Sequence, residues 1–261
     1  MTVRPTAVAD MFYPGNAAKL REQVVSMLAD QVAATVPGEP KVLIVPHAGY
    51  VYSGSVAASA YRLLTTMRER ITRVVLVGPA HRVYFRGMAI PAASGFNSPL
   101  GEITLDTSAL SLLSTSADVV VSDQAHAQEH SLEVQLPFLQ SVLEDFTLVP
   151  VLVGECSADR VAAVLDLLWG GPETLIVISS DLSHFHSYEV AQRLDADTSE
   201  SIRTKSRNLT GEEACGAAAI NGLMASHGAE SLVVHTLDVR NSGDTAGDRA
   251  RVVGYGAYAL A

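Results

Sequence analysis

Four short runs of almost unbroken apolar side chains punctuate the chain: 41–45 (KVLIV), 73–77 (RVVLV), 148–153 (LVPVLV) and 174–179 (TLIVIS). Runs this rich in Val, Ile and Leu, with no polar residue at every second position, predict strands covered on both faces. Two further stretches, 231–237 and 251–259, alternate more and are expected nearer an edge. Between them, segments 16–33, 55–68, 129–143, 157–168, 187–204 and 210–226 carry apolar residues at helical spacing. Segment 86–105 is rich in Gly and Pro around two short strand-like pieces, which predicts a hairpin excursion. Strands alternating with helices predict a layered α/β sandwich around a mostly parallel or mixed central sheet, built as one domain over residues 1–261.

Composition narrows the functional classes. With 261 residues, 48% hydrophobic and 18% charged, the chain is long and apolar enough to bury a large core. A formal net charge of −10, with no block of Lys and Arg, argues against nucleic acid or an anionic membrane as partner. No run of about 18 apolar residues occurs and the N-terminus lacks a signal-peptide core, so a cytoplasmic protein is expected. The two cysteines, Cys156 and Cys215, lie far apart and show no zinc-type spacing.

The candidate chemistry gathers where strands end. The first run leads into Pro46-His47-Ala48-Gly49-Tyr50, the second into Gly78-Pro79-Ala80-His81-Arg82, and the fourth into Ser179-Ser180-Asp181-Leu182-Ser183-His184. Ligands of open α/β sheets bind beyond the carboxyl ends of strands, so histidines delivered there by separate strands favour a site. A fourth cluster, AHAQEHSLEVQLP, supplies His126, Glu129, His130 and Glu133, with Glu129 and Glu133 four apart on a predicted helical face. Each feature also has an ordinary structural reading. SSDLSH serves equally well as a helix N-cap, Glu129 as first-turn complement to a helix dipole, and Cys215 as a small buried hydrophobe. His126, His186, His227 and His235 receive no role. Imidazole nitrogen suits iron, zinc and copper, and two such ligands plus a third group leave positions open.

Five segments in fixed order, PHAGYVYSG, GPAHR, EHSLEVQLPFLQ, SSDLSHF and NSGDTAGDRARVVGYGAYA, resemble the Memo family, whose prokaryotic members are called AmmeMemoRadiSam system protein B. The likeness runs from about residue 4 to the C-terminus. It implies a fold similar to class III extradiol dioxygenases and a metal pocket carried over onto His47, His81 and Cys215. It also implies that Asp181 and His184 line the pocket, and it places His130 on a family motif. A thiolate in place of the carboxylate those dioxygenases use is a softer donor, which favours copper or zinc and puts ring cleavage in doubt. Two expectations follow. One is a non-haem, iron(II)-dependent oxidoreductase acting on an unidentified small molecule, with His184, Asp181 and His130 as acid–base groups. The other is a non-catalytic iron- or copper-binding protein, redox or scaffolding, working with AMMECR1-like and radical SAM partners. A zinc hydrolase using Glu129, and a surface that binds proteins beside a vestigial pocket, are weaker alternatives.

Overall fold

The computed structural model describes residues 2–31 and 36–261. The carboxyl half of the predicted helix 16–33 therefore ends partly outside the described residues, and the helix itself spans Ala17–Ala29. After a two-residue strand β1 (Val3–Arg4) and this helix α1, the first buried run forms β2 (Val42–Val45) and feeds α2 (Tyr50–Tyr61). β3 (Arg73–Pro79) and β4 (Met88–Ile90) follow, then the hairpin β5 (Gly95–Ser98) and β6 (Gly101–Thr104), then α3 (Thr107–Leu113), β7 (Val119–Val121) and α4 (Asp123–Ala127). The second half comprises α5 (Leu136–Val142), β8 (Thr147–Val153), α6 (Ala158–Leu168), β9 (Thr174–Ser179), β10 (His184–His186) and α7 (Tyr188–Arg203). It closes with α8 (Ala217–Ala225), β11 (Val234–Asn241) and β12 (Val252–Leu260).

Among the described residues, nine strands form one mixed sheet in the order β10-β12-β2-β9-β3-β8-β4-β7, with β11 paired to β12. The four apolar runs are its parallel centre: β2 pairs β9, β9 pairs β3 and β3 pairs β8, all parallel. Every residue of β2 and β9 is buried, as their composition requires of strands covered on both faces. β11 lies at the margin as its alternation predicted, but β12 runs inside, antiparallel to β2, and is buried almost throughout. The predicted excursion is the β5–β6 hairpin, which joins β1 in a separate small sheet. Its turn needs Gly101 at φ +128°, a backbone region that side chains with a Cβ rarely enter. Helices α1, α2 and α5 pack on one another and α6 packs on α8, while the two groups share no extensive contact. An α/β sandwich results.

Three helix expectations need correction. Segment 129–143 is not one helix: Glu129 lies in a loop, a 3-10 turn covers Glu133–Gln135, and α5 begins at Leu136. Pro137, which lacks an N–H, sits in the first turn of α5, where helices tolerate it. Glu129 and Glu133 therefore share no helical face. The helix predicted over 210–226 is confined to 217–225, since residues 210–216 form turns ahead of the Gly216 cap. The helix predicted over 55–68 starts earlier, at Tyr50, directly behind Gly49, and ends at Tyr61.

Candidate metal centre

Three parallel strands end side by side here, and β9 stands between β2 and β3. Each delivers polar groups into the same space. His47 follows β2 and is 2% exposed. Its backbone N–H donates to Asp181 Oδ1 at 2.7 Å, and its Nδ1 lies 2.9 Å from the hydroxyl of Ser179, the last residue of β9. The Ser179 hydroxyl donates its one proton to the Ser131 carbonyl at 2.6 Å and accepts from Gln135 Nε2 at 2.9 Å. With that proton spent, Ser179 can only accept from His47, so Nδ1 carries the imidazole proton and Nε2 presents a bare lone pair. Burial, reinforced by the neighbouring His81 and His130, holds the His47 pKa well below its ordinary value and keeps the ring neutral.

His81 follows β3 and is oriented by a carboxylate. Its backbone N–H donates to Glu129 Oε2 at 2.5 Å and its Nδ1 lies 3.0 Å from Oε1. An ionised carboxylate only accepts, so Nδ1 again carries a proton and Nε2 is the nitrogen left facing away from Glu129. Glu129 is 2% exposed. Burial alone would raise its pKa, but the N–H groups of His130, His81 and Ser131 aimed at it hold it well below the usual carboxylate range. His130, from the loop after α4, is the third imidazole. Its Nδ1 sits 3.1 Å from Glu129 Oε1 but too far out of line for a hydrogen bond, which leaves a buried nitrogen without a directed partner. The loop carrying it packs on Gly78, where a Cβ would stand 2.9 Å from Leu132 Cδ2 and 3.0 Å from Ser131 Oγ, so β3 needs glycine there. The ring centroids are 5.2 Å apart for His47 and His81, 5.4 Å for His47 and His130, and 4.8 Å for His81 and His130.

One ring nitrogen from each of His47, His81 and His130 lies within 4.8 Å of the other two, the only such trio of His, Cys, Asp or Glu among the described residues. Bond lengths of about 2.0–2.1 Å from each nitrogen to a shared ion would require the three rings to close slightly. The donor chemistry fits a transition metal: three imidazoles meet around one space, and the Nδ1 atoms of His47 and His81 are held by Ser179 and Glu129.

The family signature described as Memo-like protein matches residues 4–259. The chain belongs to the Memo family. MEMO1 family proteins from Thermotoga petrophila and Thermoplasma volcanium are 31% and 32% identical to it, each over 97% of this chain and 97% and 96% of their own. One from Aquifex aeolicus is 33% identical over 98% of both chains. The α/β sandwich is the class III extradiol dioxygenase-like fold of the Memo family.

In this Memo-family chain the remaining expected residues fall at different distances from the trio. The Cys215 thiol, just ahead of α8, lies 3.3 Å from His47 Nε2 and accepts the Asp181 backbone N–H at 3.2 Å. It stands outside the set of donors that are all mutually within 4.8 Å. Burial, and then the Asp181 charge, push its pKa up to about 12. Asp181 is buried, and burial raises its carboxyl too, against the His47 N–H and the nearby imidazoles of His184, His130 and His81. Its side-chain bond runs to the His47 backbone, and no side-chain hydrogen bond to His184 joins them. His184 sits half-buried on β10, a strand rather than a helix cap, and lies near enough to His47 and Asp181 to act on both electrostatically. Beside Cys215, a cavity of about 210 Å³ runs between Pro79–Phe85, Val153–Glu155 and the first turn of α8.

Arg82 is exposed and meets none of these groups. His126 is buried and structural, its Nε2 bonded to the Ala89 carbonyl at 3.0 Å. Ser179, Gln135 and Ser131, which set the state of His47, were not singled out by sequence. The one signal was their position within the SSD and EHSLEVQ segments.

Proposed function

We propose that the protein holds one transition-metal ion at the sheet's carboxyl edge and acts as an iron(II)-dependent, dioxygenase-like oxidoreductase on a small molecule. The observation that carries this reading is the trio of imidazoles gathered within ligand reach of one another, with His47 and His81 oriented from behind by Ser179 and Glu129. His47 and His81 are ligands in this proposal, and His130 or the Cys215 thiol supplies the third. Bound there, iron(II) would supply Lewis acidity and redox chemistry. The protein's own groups do the rest. Glu129 keeps His81 in one tautomer and Asp181 pins the His47 loop. His184 stands where it can hold or pass a proton, with His130 as a second such group if the thiol is the ligand. The Cys215-lined cavity, walled by Val83, Phe85, Val153 and Ala219 together with Tyr84 and Glu155, takes a small body with both polar and apolar surface.

A second reading rests on Cys215. A thiol 3.3 Å from His47 Nε2 suits copper or zinc, and a soft His–His–Cys site is suited to holding metal without turnover, alone or for AMMECR1-like and radical SAM partners. One experiment separates the two. Protein grown in iron-supplemented medium and purified without oxygen is analysed for metal alongside His47→Ala, then assayed for O2 uptake with a catechol panel. Iron retained only by the unmutated chain, with metal-dependent O2 uptake, supports the oxidoreductase. Metal retained with no uptake on any substrate favours the second reading, and equal metal content in both proteins defeats each.

A further inference from the structure

The N-terminal segment gives no donor to the imidazole trio, yet it touches the trio's supports at several points. Arg4 is 7% exposed. Its Nε donates to the His126 carbonyl at 2.6 Å, its Nη2 to the Glu129 carbonyl at 2.7 Å and its Nη1 to Glu133 Oε2 at 2.7 Å. Glu133 is fully buried and acts as a hub: its carboxylate also accepts the Ala7 N–H at 2.8 Å, the Val8 N–H at 3.0 Å and the Tyr13 hydroxyl at 2.5 Å. Between these bonds the chain carries Phe12, whose ring centroid is 4.8 Å from that of His130. The Phe12 carbonyl accepts the Tyr50 N–H at 2.8 Å, at the start of α2 and three residues beyond His47.

We infer that Arg4 and Glu133, with Phe12, are positioning residues of the metal centre, through which residues 4–13 set where Glu129 and His130 stand. This rests on the metal-centre reading above. A buried ion pair is a poor way to gain stability, because apolar side chains of similar size often serve as well. Direction is what the pair adds. The flat fork of Arg4 holds two carbonyls and a carboxylate in one plane, and one of those carbonyls belongs to Glu129 itself. His130 has the greatest need of such support. Its Nδ1 has no directed partner, so its ring angle depends on Phe12 and on the path of the backbone. Three sequence-distant loops, after β2, after β3 and after α4, thus take their relative placement from one N-terminal strap.

Cobalt(II) is the probe, because its absorption reports both affinity and ligand geometry. Unmutated protein is titrated beside Glu133→Gln, Arg4→Lys and Phe12→Leu, with Leu165→Ala in α6 as a control that loosens the fold away from the strap. Glu133→Gln and Arg4→Lys should weaken cobalt binding roughly tenfold to a hundredfold, the usual effect of removing a group that orients metal ligands. Phe12→Leu should shift the visible bands. Leu165→Ala should lower Tm at least as much while leaving affinity and spectrum unchanged. Affinities within about threefold of the unmutated protein in the strap variants, or losses that merely follow Tm, overturn the inference, since orienting groups act beyond that range. If Glu133→Gln does not fold, Arg4→Lys and Phe12→Leu decide by the same measure. Unmutated protein that binds no cobalt would instead defeat the metal-centre reading, an outcome visible before any variant is made.

Discussion

The two ends of the central strands treat charge in opposite ways. At the amino ends of β2, β3 and β9, cations are used up locally. Burial draws Lys41 down to about 8, and its ammonium donates to the carbonyls of Gly171 and Thr174, both at 2.7 Å, beside the Trp169 ring. Arg73 reaches the Thr174 hydroxyl and lies near Asp106 and Glu173. At the carboxyl ends the imidazoles are fixed from behind, His47 by Ser179 and His81 by Glu129, and gather around one space. The same sheet therefore carries satisfied charges at one end and a cluster of oriented imidazoles at the other. At that second end the His130 Nδ1 is a buried nitrogen with no hydrogen-bond partner, set beside two rings that are each oriented from behind.

That contrast breaks most completely at His47. His47→Ala should abolish metal retention through desalting, read by elemental analysis, whereas Lys41→Met should leave it untouched. Retention in His47→Ala would put the site elsewhere. A large effect is also expected from acid, away from the trio. Burial depresses His126 from 6.5 to about 4, so between those values the unfolded chain binds a proton that the folded chain refuses. Stability is then fully present above pH 6.5 and falls as pH drops toward 4, by about 3 kcal/mol if the whole shift is realised. Denaturant melts of His126→Gln across that window should show a flatter slope, and an unchanged slope would assign the loss to other groups. At the amino edge, Lys41→Met should cost less than about 2 kcal/mol in urea melts, because its two carbonyl bonds are half exposed to water. The smallest effect belongs to the exposed Arg203–Glu200 pair on α7, where Arg203→Ala should leave Tm and metal content unaltered.

How far the sequence could be read follows from where each constraint lies. KVLIV, RVVLV, LVPVLV and TLIVIS could be read as central strands because burial on both faces leaves no polar alternation. His47 and His81 could be singled out as candidates because each follows such a strand directly, and both fall in the imidazole trio. EHSLEVQLP misled, since Glu129 and Glu133 stand four apart as on a helix while Pro137 marks where the helix begins. Their carboxylates in fact bind groups on opposite sides of the loop, Glu129 the imidazoles and Glu133 the N-terminal segment. His130 entered by resemblance to a family motif; that its ring lies tilted beside His81, centroids 4.8 Å apart, is a contact no local pattern shows. Ser179 and Arg4 were beyond reach. Their partners lie 132 residues away for His47 and 125 for Glu129, and nothing in local pattern encodes a contact of that span.

The pairing of β2 with β9 sets Val45 opposite Ser179. Because side chains alternate between the faces of a strand, a slip of a single residue there would turn the hydroxyl away and set Ile178 in its place. His47 would then lose the acceptor that decides which of its nitrogens is protonated, with no histidine altered. Alignment of two apolar strands thus acts as a switch on ligand competence, and a one-residue insertion or deletion inside TLIVIS should silence the centre while every donor stays in the chain.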